Sequence, residues 1–466
     1  MSDYIEFIKA KAQRADGHGF EPQGLPNHLF PFQRELVEWA VRQGRAAIFA
    51  DCGLGKTPME LAWADQVHRK TGKPVLLLTP LAVGFQIVNE AEKFGHDAAM
   101  SRNGKPADAA ITVSNYEQAA KFDPDDFGGV VCDESSAIKA FDGTTRAVVT
   151  ELMREMPYRL LGTATAAPND YLELGTSSEA LGELGYMDML GRFFVNDQRT
   201  STHRPMSGKN VDGKWIHGGM GGYRFKGHAA EPFWRWVSSW ARAIRKPSDY
   251  GYSDDGFELR PLIESLHVVQ SSTPRDDMLF DAPAVGLAEE RAELRRSLPD
   301  RCEKAADLLE DAEHGVAWCQ LNDESSLLTR LIDGSVEITG SDAPEAKEEK
   351  LAAFTRGEIR VLVTKPSIGA WGLNWQHAHR MTYFASHSYE QYYQAVRRMY
   401  RFGQPSAVSV DVIASKGTEG IMGSLQRKSR QADAMFNALL RHMTDALKIQ
   451  RHTDHNERLE LPAWAA

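Results

Sequence analysis

The stretch Ala50-Asp51-Cys52-Gly53-Leu54-Gly55-Lys56-Thr57 decides how the rest of this chain is read. It follows an apolar β run at 46–50 and leads into residues 57–70, whose apolar positions recur at helical spacing. A glycine-rich loop between a strand and a helix is the context a phosphate-binding loop requires. Gly53 and Gly55 let the backbone wrap close to phosphate oxygens. Lys56 offers a cation to β- and γ-phosphates, Thr57 offers a hydroxyl to Mg²⁺, and the helix that follows adds its positive end. The usual first glycine of such a loop is replaced by Ala50.

A second apolar run, Val130-Val131-Cys132, ends in Asp133-Glu134-Ser135-Ser136. Acids at the C-terminal end of a strand face the crevice where open α/β sheets bind ligands. Asp133 is expected to hold Mg²⁺ through its waters, and Glu134 to orient and deprotonate an attacking water. Around these two motifs the first half alternates β runs (46–50, 75–79, 111–114, 130–133, 159–162) with helical patterns. The second half repeats the scheme, with β runs at 266–270, 316–320, 336–339, 360–364, 381–384 and 408–413 and helical patterns at 343–355 and 390–400. Continuous apolar runs of this kind belong to parallel sheets covered by helices on both faces. Two α/β domains are expected.

The motifs together resemble the superfamily-two helicases, and Ser135-Ser136 after the paired acids resembles short Swi/Snf-like ATPases encoded by phages. The resemblance covers residues 29–415 apart from a central insertion. It implies two RecA-like lobes with ATP and Mg²⁺ between them. It also implies that Gln33, in LFPFQRELVEW, reads adenine, and that Ala50 through Thr57 contact the nucleotide. Thr79 and Ser114 would sit in nucleic-acid-contacting motifs, and Thr163 and Thr165 in a motif coupling ATP to DNA. Gly372 and Asn374, in TKPSIGAWGLNW, would join DNA contact to the ATP cleft. QAVRRMYRFGQ, from Gln394 to Gln404, resembles the Swi/Snf arginine-finger motif. Arg398 and Arg401 would reach the γ-phosphate, and Arg397 stands where the pattern usually has glycine. The two fingers share a helix face if the helix at 390–400 persists through them.

Residues 192–246 carry eleven basic side chains against three acidic ones, a net +8 inside a chain of net charge −10. Their composition is rich in Gly, His and Trp, and the end of the segment, from 232 to 245, has a helical pattern. Basic residues interleaved with Trp215, Trp234, Trp236 and Trp240 suit nucleic-acid backbone and base contacts. The same tryptophans at helical spacing also suit a core, and WVSSWARAIRKPSDYG resembles the linker that closes a first Swi/Snf lobe. His203, His217 and His228 lack compact metal-ligand spacing, and none of the four cysteines forms a C-x-x-C pair, so no zinc site is expected.

The division expected is therefore an N-terminal extension at 1–28, a first lobe at 29–191, a basic insertion at 192–262, a second lobe at 263–419 and a helical tail at 420–466. No apolar run is long enough to span a bilayer, and the N-terminus lacks the apolar core of a signal peptide, which points to a cytoplasmic protein of a bacterium or a phage-infected cell. Three functions are compatible with these features. They are a DNA-dependent ATPase translocating on duplex DNA, a strand-separating DNA or RNA helicase, and a nucleotide-gated protein clamp. An intact Glu134 and two finger arginines favour the motors over the clamp, and the Swi/Snf-like motifs favour duplex DNA.

Overall fold

The computed structural model describes residues 18–140, 143–167, 171–196, 208–209, 215–216, 223–272, 287–370, 373–416 and 420–452. Two all-parallel sheets organise them, as expected for two RecA-like lobes. The first has seven strands: β1 (Arg45–Ala50), β2 (Val75–Thr79), β3 (Ala98–Met100), β4 (Ile111–Asn115), β5 (Gly129–Cys132), β6 (Tyr158–Thr163) and β7 (Ala241–Ile244), in the order β7-β1-β6-β5-β2-β4-β3. The central strands are buried along their length, because helices cover both faces. The phosphate loop leaves β1 and the paired acids leave β5. Since β6 lies between those strands, all three C-terminal ends converge on one crevice.

Strand β7 departs from the sequence expectation of one helix over 232–245. The helix α3 (Ala230–Trp240) stops at Trp240, and Ala241–Ile244 pairs in parallel with Ala47–Ala50 of β1. Four residues, Ala-Arg-Ala-Ile, carry too short a pattern to separate strand from helix. The pairing with β1 decides it. Trp234 and Trp240 are buried in the first lobe's core, and Trp236 packs against it. The tryptophans at helical spacing are thus core residues.

The second sheet contains β8 (Leu262–Val269), β9 (Gly315–Trp318), β10 (Ser335–Ile338), β11 (Val361–Thr364), β12 (Arg380–Phe384) and β13 (Val408–Ser415), ordered β8-β13-β12-β9-β11-β10. Trp318 and Trp375 stack at the heart of this lobe with centroids 5.7 Å apart. Helix α4 (Tyr389–Val396) lies on the side facing the first lobe. The C-terminal helix α5 (Gly420–His452) begins with Ile421 in the second lobe's core. It ends with Met435, Phe436, Leu439 and Met443 in the core of the first. One helix therefore packs on both lobes. No helix among the described residues is long and apolar enough to cross a membrane.

Candidate ATP site between the lobes

Helix α2 (Lys56–Thr71) starts directly at the loop, with Gly55 as its left-handed N-cap residue. Gly53 and Gly55 have φ of 89° and 75°. Side chains there would also collide with their surroundings. A Cβ on Gly55 would stand 2.4 Å from the Gln33 amide nitrogen, and one on Gly53 would stand 2.9 Å from the Phe402 ring of the second lobe. The loop is fixed from below by Gln33 on α1 (Pro31–Gln43). Its amide donates to the Leu54 carbonyl at 2.8 Å and accepts from the Phe30 N–H at 3.0 Å. Gln33 thus holds the loop as placed. Ala50 and Leu54 are fully buried, and Cys52 nearly so.

Lys56 Nζ stands 3.6 Å from Glu134 Oε1. Burial alone would lower this ammonium, but Glu134, Cys52, Asp133 and Glu60 outweigh it and hold Lys56 above its ordinary value. Asp133 is pushed up to about 7, by burial first and by the Glu134 carboxylate second, against the pull of Lys56 and Thr79. Glu134 is the single non-glycine residue with positive φ, 49°, among those described. That conformation costs roughly 1–3 kcal/mol and is held by its surroundings, here by the Ser135 N–H donating to Gly162 at 2.8 Å. Thr57 is half-buried at the second position of α2.

The expected coupling residues separate into groups. Thr163 Oγ1 lies 3.5 Å from Glu134 Oε2 and accepts from the Thr165 N–H at 3.1 Å. Thr165 Oγ1 lies 3.3 Å from Ser136 Oγ and accepts from the Gln394 amide at 3.4 Å. A chain of hydrogen bonds therefore runs from Glu134 into the second lobe. Thr79 and Ser114, expected within nucleic-acid-contacting motifs, both lie buried in the first lobe. Thr79 is fully buried and donates to Asp133 Oδ2 at 3.0 Å, while Ser114 is buried and donates to the Ser101 carbonyl at 2.8 Å. Asn374 donates to Gln376 at 3.1 Å. Gly372 lies outside the described residues, as do His203 and His217.

The two finger arginines differ. Helix α4 ends at Val396, so Arg398 and Arg401 do not share a helix face as expected; the chain continues in turns closed by Gly403 at φ 87°. Arg398 is buried. Its guanidinium donates to the Gln394 carbonyl at 3.0 Å, the Gln394 side chain at 2.8 Å and the Leu373 carbonyl at 3.0 Å, all within its own lobe. The Arg401 guanidinium has no hydrogen bond or ion pair among the described residues. Burial first, and the neighbouring Arg398 second, lower its pKa, while Cys52, Glu90 and Glu134 pull the other way. Its Cβ is 3.5 Å from where a Cβ on Gly53 would stand, directly over the phosphate loop.

Three features were missed by sequence reasoning. Glu60, one turn along α2 from Lys56, is buried with both carboxylate oxygens unpartnered, and burial first and Asp133 second raise its pKa well above the usual carboxylate range. An acid in the otherwise apolar MELAW run was the available signal. Phe257 and Phe402 form edge contacts that reach half-exposed Phe30 beside Gln33. Finally, Arg397 pairs with Asp51 of the phosphate loop across the lobes.

The basic side chains of the central segment divide: Arg192, Arg224, Lys226, Arg235 and Lys246 are exposed, whereas two others are engaged within the protein. Arg242 is buried, donates to the Ser238 carbonyl and lies over the Trp39 ring, and Arg245 pairs with Asp433 at 2.9 Å. Among the described residues no group of three metal-ligating side chains occurs.

No family model matches this chain, and no curated protein matches it. Among solved structures it is similar to the Sulfolobus solfataricus SWI2/SNF2 ATPase core solved in complex with double-stranded DNA. The two share 16% identity at a TM-score of 0.41, over 90% of this chain and 96% of that one.

Proposed function

We propose that this protein is an ATP-hydrolysing nucleic-acid motor whose nucleotide site lies between the two lobes. The observation that carries the reading is a convergence. Lys56, Asp133 and Glu134 meet at the C-terminal ends of β1 and β5, which flank β6, and an Arg401 side chain without a partner among the described residues stands over the same loop from the other lobe. The residues fit Mg·ATP. Two left-handed glycines give the loop the backbone turn that lets successive N–H groups face a phosphate, and the raised Asp133 carboxyl beside Glu134 is a destabilised acidic pair that a divalent cation would complete.

Lys56 and the loop amides would bind the phosphates, and Thr57 and Asp133 would hold Mg²⁺. Bound there, the ion would neutralise charge developing on the phosphate oxygens. Thr79 orients Asp133 through its hydroxyl. Glu134 orients the attacking water and accepts its proton, and Thr163 sets the position of that carboxylate. Arg401 would meet the γ-phosphate charge in the transition state, whereas Arg398 braces the turn that carries Arg401. The path Glu134–Thr163–Thr165–Gln394 links the site of hydrolysis to the second lobe, so a change at one end has a direct route to lobe movement.

The substrate track favoured is duplex DNA, on the strength of the Swi/Snf-like motifs. The chemistry is tested with Lys56→Ala and Glu134→Gln. The first should lose ATP affinity and hydrolysis together. The second should stop hydrolysis while retaining ATP, because Lys56, Thr57 and Asp133 survive. Near-parental turnover in Glu134→Gln would overturn the assignment of the base.

A further inference from the structure

The two lobes also meet at a contact that involves none of Lys56, Asp133, Glu134 and Arg401. Asp51, ahead of the glycines of the phosphate loop, is held on both carboxylate oxygens by side chains of the other lobe. Tyr393 donates its hydroxyl to Oδ1, and Arg397 donates from Nη2 to Oδ2 at 2.9 Å. The same Oδ1 accepts from the Cys52 N–H at 2.6 Å, and the Asp51 N–H donates to the Ile244 carbonyl at 2.9 Å, so the carboxylate is fixed to the loop's own backbone. Arg397 lies against the rings of Tyr393 and Tyr400, with centroids 5.0 and 5.2 Å away. The ion pair is 13% and 9% exposed, and opposite charges so shielded attract several times more strongly than on an open surface. Burial works against the charge on Arg397, but Asp51 and Tyr393 outweigh it and hold the guanidinium above its ordinary range.

We propose that Asp51, Tyr393 and Arg397 form a latch that closes the lobes directly through the phosphate loop, without nucleotide, and so positions Arg401. The latch grips residue 51, whereas phosphates would be met by residues 53–57. Lobe closure and γ-phosphate recognition are thereby separate contacts made by one short stretch of the second lobe: Arg397 serves the first and Arg401, four residues on, the second. The three latch residues are positioning residues. Closure itself needs no ATP; its consequence for Arg401 rests on the ATPase reading above.

The test measures lobe closure rather than activity. All four native cysteines are buried, so dyes can be placed through Glu92→Cys on the first lobe and Glu313→Cys on the second, both exposed. Single-molecule energy transfer is recorded without nucleotide for the parental chain, Asp51→Asn, Arg397→Gln and the double variant. Hydrogen bonds to charged groups set the scale, so each single change should lower the closed-to-open ratio about ten- to a hundredfold. The double variant should fall no further than the worse single one. Tyr393→Phe removes one hydroxyl with the ring retained and should shift the ratio the same way by a smaller factor. It keeps the question open to an answer should Arg397→Gln fail to fold. Arg397→Lys should rescue only partly, because it keeps the charge and loses the planar group that lies against the Tyr393 and Tyr400 rings. A parental distance distribution in Arg397→Gln or Tyr393→Phe, or effects of Asp51→Asn and Arg397→Gln that multiply in the double variant, would overturn the latch. Failure of the parental chain to bind ATP would sink the ATPase reading and leave the closure result standing.

Discussion

Replacing Arg401 and Arg398 one at a time separates catalysis from architecture. The Arg401 guanidinium makes no hydrogen bond or ion pair among the described residues, whereas the Arg398 guanidinium makes three, all to buried acceptors of its own lobe. Arg401→Ala therefore removes little from the resting fold. Its melting temperature should stay within about 2 °C of the parent, since no buried partner is left stranded and the lost packing is offset by removing an unpaired, partly buried guanidinium. Its kcat should fall by about 10³ or more, the range an arginine finger supplies, which corresponds to about 4 kcal/mol of transition-state stabilisation. ATP affinity should change far less. Arg398→Ala strands the Leu373 and Gln394 carbonyls and the Gln394 side-chain oxygen. At roughly 1–3 kcal/mol for each buried group left unpaired, and with relaxation, a loss of about 3 kcal/mol is expected. For a lobe of this size that is a drop of about 6–12 °C. Differential scanning fluorimetry and steady-state ATPase assays on the two variants read both quantities. Parental kcat in Arg401→Ala would refute the finger assignment. Equal melting temperatures in the two variants would refute the division of labour drawn from the hydrogen bonds.

Glu60→Gln should be tolerated and should raise the melting temperature more at pH 8 than at pH 5. The folded state raises the Glu60 pKa, so stability is fully present below the unfolded value and is lost as pH rises through the folded one; a glutamine removes that loss. Equal gains at both pH values would contradict a buried neutral acid. Arg242→Gln should lower stability by about 1–3 kcal/mol through its lost carbonyl and ring contacts, with the salt slope of DNA binding unchanged; a flattened slope would restore Arg242 to a phosphate-contacting role. Gly55→Ala should weaken ATP binding at least tenfold, a difference of about 1.4 kcal/mol, because its Cβ would displace the Gln33 amide; isothermal titration of ATP decides it.

The chemical centre was legible because it is local. A strand, two glycines, Lys-Thr and a helix are adjacent in sequence, and an apolar run ending in Asp133-Glu134 carries its own strand and its own acids. The two-lobe architecture was legible for the same reason, since each β run and helix announces itself over a few residues. What depended on tertiary partners was not. Strand β7 looked like the last turn of α3 until its pairing with β1 was known. Helix α4 stops at Val396 because Arg398 turns inward onto Gln394 and Leu373, contacts that no periodicity reveals. The positive charge of residues 192–246 suggested a surface, yet Arg242 is buried and Arg245 is paired to a helix nearly two hundred residues away. Asp51 and Arg397 are 346 positions apart, and nothing in either neighbourhood names the other.

The central claim is that nucleic acid drives ATP hydrolysis at the site built by Lys56, Asp133, Glu134 and Arg401. The measurement that tests it most directly is the ATPase rate of the parental chain and of Glu134→Gln, each with no nucleic acid, single-stranded DNA, duplex DNA and RNA. Stimulation greatest with duplex DNA, and absent in Glu134→Gln under every condition, is the result predicted. Hydrolysis that no nucleic acid stimulates, or that survives in Glu134→Gln, would contradict it.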